Sequence, residues 1–212
     1  MPPPGNSKAP FDRVPGSRGP FQAAAGGAAA SSSRVAFAPP ELLRALHGVL
    51  QAEPDGAWHK TSRASGAAAG RAMAVAADRD FASRQEPTLA DQPLEAGLAL
   101  VERHFSEQGW GVLATDISLA PEHGLVIARL RHGAVVAALG PGPDFADAMS
   151  AGFLQAFLEH VSGQPLGCLE IGCARAGAPH CTFVITSSDR LDPVAGLLGR
   201  VTPEEIIERL KG

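Results

Sequence analysis

Cys168, Cys173 and Cys181 are the only cysteines among 212 residues, and all three fall within fourteen. With Glu170 they read Glu-x-x-Cys-x7-Cys, a carboxylate followed by two thiols seven residues apart. An odd count confined to one short stretch argues against a disulfide framework and for a metal site. Thiolates and a carboxylate brought together suit zinc, which takes Cys sulfur and carboxylate oxygen in four-coordinate sites. Two thiolates and one carboxylate leave a fourth position open. Cys168, two residues before Glu170 and therefore on the same face of a strand, is one candidate for it, and His180, beside Cys181, is another. The same residues allow two further readings: buried free cysteines that pack as small hydrophobes, and a reversible disulfide between Cys173 and Cys181.

Such a site needs a hairpin to close it. Leu166 to Ile171 and Thr182 to Thr186 read as strands, joined by the loop that carries Cys173 to Cys181. Phe145, Met149, Phe153, Ala156, Phe157 and Val161 recur at helical spacing before that hairpin, and Gly163-Gln164-Pro165 ends the helix. Three β-prone runs precede it, at Trp110 to Leu119, Gly124 to Leu130 and Ala134 to Leu139, and predict an antiparallel meander. Upstream, the spacing predicts a helix over 41–52. An Ala-rich segment over 57–77 carries small residues four apart for close helix packing, and it lacks the Gly-Lys-Ser/Thr ending of a nucleotide loop. A polar loop near 80–91 leads to a helix marked by Leu94, Leu98, Val101 and Phe105. Thr202-Pro203-Glu204-Glu205 predicts a capping box that opens a last short helix. The fold class expected is α+β, an antiparallel β-sheet packed against helices.

Hydrophobic residues make up 45% of the chain and the net charge is −4, so no basic surplus exists to hold a phosphate backbone and nucleic acid is not an expected partner. Residues 1–40 are rich in Pro, Ala, Gly and Ser and carry a charge of +3; too little apolar surface is available there to offset ordering, and a disordered tail is expected. The N-terminal residues have no charged and apolar regions of a secretory signal, and no run reaches the roughly 18 apolar residues of a membrane span. A cytoplasmic protein is the expectation.

The run from Gly152-Phe153 through Gly163-Gln164-Pro165-Leu166-Gly167-Cys168-Leu169-Glu170-Ile171-Gly172-Cys173 to Pro179-His180-Cys181-Thr182-Phe183 resembles the 4-vinyl reductase domain family. Ser65 to Arg71 and Gly109-Trp110-Gly111 are similar to that family's first helix pair and first strand, so the resemblance spans about 41–188 and leaves 189–212 as an extension with the capped helix. Gln164 replaces the family's usual Arg, and Ala178 its usual acidic residue. In phenol- and xylene-sensing regulators with this domain, zinc is held by a Cys on the preceding helix, the Glu and both Cys. That implies Glu170, Cys173 and Cys181 here, while the helix position falls on Asp147, a departure that leaves Asp147 ahead of Cys168 and His180 for the fourth place.

The resemblance further implies a structural zinc, a homodimer, and an apolar, aromatic or tetrapyrrole-like ligand between helices and sheet. Candidates to line that pocket are Phe105, Trp110, Phe153 and Phe157, with Trp58 behind them. No Gly-x-Gly-x-x-Gly turn or flavin motif supplies a hydride, which disfavours a stand-alone reductase. The regulators join the domain to an ATPase and a helix-turn-helix module; with neither in this chain, ligand binding or sensing through a protein partner is expected. A scaffold subunit of a larger bacterial complex, such as one for secretion or biosynthesis, is the alternative, since the fold also resembles subunits of vesicle-tethering complexes. A bacteriochlorophyll-type reductase or its accessory comes third.

Overall fold

The computed structural model describes residues 39–53 and 56–212. The expected tail over 1–40 lies, apart from Pro39 and Pro40, outside the described residues. Helix α1, Pro40–Ala52, opens on a proline whose missing N–H costs a first turn nothing. Helix α2 runs over Ala57–Ser83, six residues beyond the predicted end, so the polar loop expected near 80–91 begins later; alanine-rich sequence favours the continuation. A 3-10 turn at Leu89–Asp91 comes next, and α3 spans Leu94–Glu107.

Four strands form one antiparallel sheet: β1 Val112–Asp116, β2 Val126–Arg131, β3 Gly167–Gly172 and β4 Cys181–Thr186, in the order β1-β2-β4-β3. The helical turn α4, Ala120–His123, connects β1 to β2. The run Ala134–Leu139, expected as the third strand of a meander, is instead helix α5. A short apolar run has no period of its own to separate strand from helix. Here Val135 and Ala138, three apart, turn inward together, and α5 packs beside α1. The meander is therefore a β1–β2 hairpin, and β2 takes β4 as its second neighbour, pairing Leu130 with Cys181 and Ala128 with Phe183.

Helix α6, Ala148–Ser162, lies across one sheet face against α2. The small residues expected to form a packing surface meet backbone directly: a Cβ at Gly66 would strike the Met149 carbonyl, one at Gly70 the Phe153 carbonyl, and one at Gly152 the Arg63 carbonyl. Asp78 of α2 adds a polar tie, accepting the Leu89 N–H at 2.8 Å and meeting His160 Nε2 at 2.5 Å. Between these helices, α3 and the sheet lies the larger core, with Leu98, Val101, Phe105, Leu154, Phe157, Phe183 and Ile185.

The opposite sheet face is covered as well. Leu125, Ile127, Ile171 and Val184 pack there against α7, Ser188–Ala195, and α8, Pro203–Lys211. Helix α7 has no counterpart in the sequence reading, because Pro193 and its charged residues mask its apolar pair Leu191 and Val194. The predicted capping box of α8 is present: Thr202 Oγ1 accepts the Glu205 N–H at 3.2 Å, and the Thr202 N–H donates to Glu205 Oε2 at 2.9 Å. Arg190 of α7 holds this layer to the sheet by donating to the carbonyls of His123 and Leu210.

Candidate metal centre and its aromatic neighbours

The β3–β4 hairpin brings three of the predicted donors together. Glu170 is buried on β3, Cys173 ends the strand, and Cys181 begins β4 after a 3-10 turn at Ala174–Ala176. A register shift between Glu170 and Gly172 sets Glu170 opposite Phe183 and Gly172 opposite Thr182, so one residue of β3 bulges just before the first thiol. Such a bulge bends the strand and re-aims the side chains beyond it. The donor atoms of Glu170, Cys173 and Cys181 lie within 4.8 Å of one another.

The two sulfurs are 3.9 Å apart. Two thiolates at about 2.3 Å from a tetrahedral zinc stand about 3.8 Å apart, so the pair is spaced for shared coordination. Disulfide bonding would bring them to about 2 Å, and all three cysteines are free thiols.

Asp147, the fourth donor that the family resemblance implies, is the N-cap of α6. Its Oδ1 accepts the Ser150 N–H at 3.2 Å, and its own N–H donates to Glu170 Oε2 at 3.0 Å. Its carboxylate adjoins the three-donor group but is not part of it. Asp147 Oδ2 and Glu170 Oε1 are both buried without a hydrogen-bond partner. Two orphaned carboxylate oxygens beside two thiols would be costly unless something binds them. Cys168 is buried on the Glu170 side of β3 but outside the group, and His180 lies outside it too.

Electrostatics point the same way. Burial pushes the Asp147 carboxyl up to about 6 and the Cys168 thiol up to about 12. Burial, with Asp147 and Cys173 nearby, also raises Glu170. Cys173 moves down, because Cys181 donates to it and Glu170 and the N–H groups of Ala146 and Arg175 favour its thiolate; Cys181 moves up in return. Anionic donors crowded in a dry site hold protons for want of a counter-charge, and a divalent cation is such a counter-charge.

Aromatic side chains cluster on the same side of the sheet. Phe153 of α6 stands edge-on to Phe105 of α3 at 5.2 Å and stacks 6.5 Å from Phe157. All three are buried, and Trp110 packs against this core while half-exposed. Trp58 lies apart, donating its indole N–H to the Ala146 carbonyl at 3.3 Å and meeting His47 edge-on at 5.0 Å. His104, which sequence reasoning did not single out, stacks 5.5 Å from Phe153, and burial lowers its pKa. Its place one residue before Phe105 was the available signal.

An open cleft of about 400 Å³ lies elsewhere, between α7 and α8, lined by residues that include Arg190, Val194, Leu197 and Leu210. It contains none of the predicted site residues.

Residues 128–187 match the model of the vinyl-4-reductase domain family. No curated protein matches the chain significantly. Among solved structures, the fold is similar to the crystal structure of the phenol-responsive sensory domain of the transcription activator PoxR with phenol, with a TM-score of 0.55 and 16% identity over 77% of this chain and 80% of that one. The segment 128–187, which holds Glu170, Cys173 and Cys181, is thus a vinyl-4-reductase domain, as the resemblance of its motif implies.

Proposed function

We propose that this chain is a small-molecule-binding domain of the vinyl-4-reductase type that takes an apolar, aromatic ligand, carries a structural zinc and acts through a partner rather than by chemistry of its own. The observation that carries the ligand reading is the Phe105–Phe153–Phe157 cluster between α3, α6 and the sheet, in a fold shared with a phenol-responsive sensory domain. Against that cluster, the imidazole of His104 has its pKa lowered by burial, and a neutral imidazole offers one donor and one acceptor, enough to orient a single hydroxyl on an otherwise apolar ring. Calorimetric titration with phenol and its methylated relatives tests the reading. Saturable binding that weakens in Phe153→Ala and in His104→Ala supports it; no heat and no thermal shift with any of them sinks it.

Zinc is proposed on Glu170, Cys173 and Cys181 with Asp147 as fourth donor. The support is the sulfur spacing and the partnerless oxygens of Asp147 and Glu170. Bound there, the ion would supply charge neutralisation and a cross-link between β3, β4 and the start of α6, with four protein donors closing the site to a reactive water. Metal analysis of untagged protein should find about one zinc per chain.

A second reading, an assembly subunit, draws on α1. Leu42, Leu46 and Val49 form a stripe on that helix and are 47%, 46% and 64% exposed. Light scattering tests it together with the proposed homodimer: a monomer in both wild type and Leu46→Glu argues against self-association through this face.

A further inference from the structure

Arg175 sits between the two thiols, two residues after Cys173, with its side chain 11% exposed. It reaches across to the segment that joins α5 to α6. Nε donates to Asp144 Oδ1 at 3.0 Å, and Nη1 donates to the Leu139 carbonyl at 3.1 Å and the Gly140 carbonyl at 2.5 Å. The bond is returned by the Gly142 N–H, which donates to the Arg175 carbonyl at 2.9 Å. A side chain at Gly142 would collide with the guanidinium, so the two segments are fitted closely. Asp144 is held below the usual carboxylate range, against the effect of its burial, by Arg175 and His47 among others.

This clamp lies just upstream of the metal donors on that segment. Three residues beyond Asp144 the chain reaches Asp147, whose N–H is already bonded to Glu170 and whose Oδ2 has no partner. Arg175 thereby ties the loop between the thiols to the loop that delivers the fourth donor.

We propose that Arg175 is a positioning residue for the metal centre: by gripping Asp144 and the Leu139 and Gly140 carbonyls, it fixes Asp147 beside Glu170, Cys173 and Cys181 and so sets how tightly the chain holds zinc. The inference rests on the proposed zinc site. Charge alone does not accomplish this, since a cation near a cation site repels the ion; the planar fork, which binds a carboxylate and two carbonyls at fixed angles, is what a lysine lacks.

The test is zinc affinity of the full chain, measured by competition with a chromophoric chelator, for wild type, Arg175→Lys and Arg175→Ala, each with Asp147 present and with Asp147→Ala. Both Arg175 variants should bind zinc about tenfold or more weakly when Asp147 is present, the scale typical of residues that orient a metal's ligands. In the Asp147→Ala background the same changes should alter affinity by less than about twofold, because Arg175 acts through Asp147. Equal losses in both backgrounds would assign Arg175 a general folding role and overturn the proposal, as would no loss in either. Wild type without zinc refutes the metal reading and this inference with it. Wild type with one zinc and unchanged Arg175 variants refutes this inference alone. If Arg175→Ala does not fold, Asp144→Asn substitutes: it breaks the charge-assisted contact, keeps the carbonyl contacts, and should weaken zinc in the same Asp147-dependent way.

Discussion

Gly66 of α2 rests on the carbonyl of Met149 in α6 with no room for a Cβ between them. Two helices in backbone contact cannot accept even one methyl without moving apart. Gly66→Ala and Gly152→Ala should therefore each destabilise the protein by about 3 kcal/mol or more, at the upper end for overpacking. Gly48, inside α1 with open space around its Cβ position, is the control: Gly48→Ala should leave stability unchanged or raise it by up to about 1 kcal/mol. Urea unfolding curves check all three, and equal effects at Gly66 and Gly48 would contradict the contact.

Removing a thiol tests the metal as a fold stabiliser. Cys173→Ser and Cys181→Ser should each lose zinc and lower Tm by about 10 °C or more, at roughly 2–4 °C per kcal/mol for a chain of this size. Chelator added to wild type should reproduce that shift, whereas Cys168→Ala should retain the metal. Thermal melts paired with metal analysis decide the matter.

Asp147 is expected to combine two roles that different substitutions can separate. Asp147→Asn keeps an oxygen for the Ser150 N–H and weakens zinc; Asp147→Ala weakens zinc and also gives up the cap of α6, a further loss of about 1 kcal/mol in the metal-free protein. Chelator competition and unfolding of the metal-free forms report the two effects independently.

His104 predicts a pH dependence. Burial against Phe153 lowers its folded pKa from 6.5, outweighing the opposing effect of Glu107, so the unfolded chain takes up the proton first as pH falls. Its contribution is full above about pH 6.5 and is lost as pH drops through that value toward the folded pKa. His59, buried and close to Arg63, acts in the same direction. Wild type should therefore lose more stability than His104→Gln between about pH 7.5 and about pH 5 in matched unfolding titrations. Parallel curves would show that His104 is not held neutral.

The hairpin that gathers Glu170, Cys173 and Cys181 was legible in the sequence because strand period, loop composition and donor spacing agree there. So was α8, whose cap is spelled out by Thr202-Pro203-Glu204-Glu205. Ala134 to Leu139 was not: six apolar residues suit a buried strand as well as a buried helix, and only the fit of Val135 and Ala138 inside the fold separates the two. Arg175 and Asp144 were equally silent, since a bond between residues 31 apart leaves no local pattern. The Gly66 contact was half visible. Small residues four apart predicted close packing, but not that α6 would be the partner.

Strand β4 is buried along its whole length, turning Phe183 and Ile185 to one core and Val184 to the other. Family similarity ends at residue 187, one position before α7 begins. A fragment cut at that boundary would carry every proposed zinc donor, yet it would leave Leu125, Ile127, Ile171 and Val184 bare to water. It should aggregate or melt early, so expression fragments of this chain need to extend through Leu210, whose side chain closes that face.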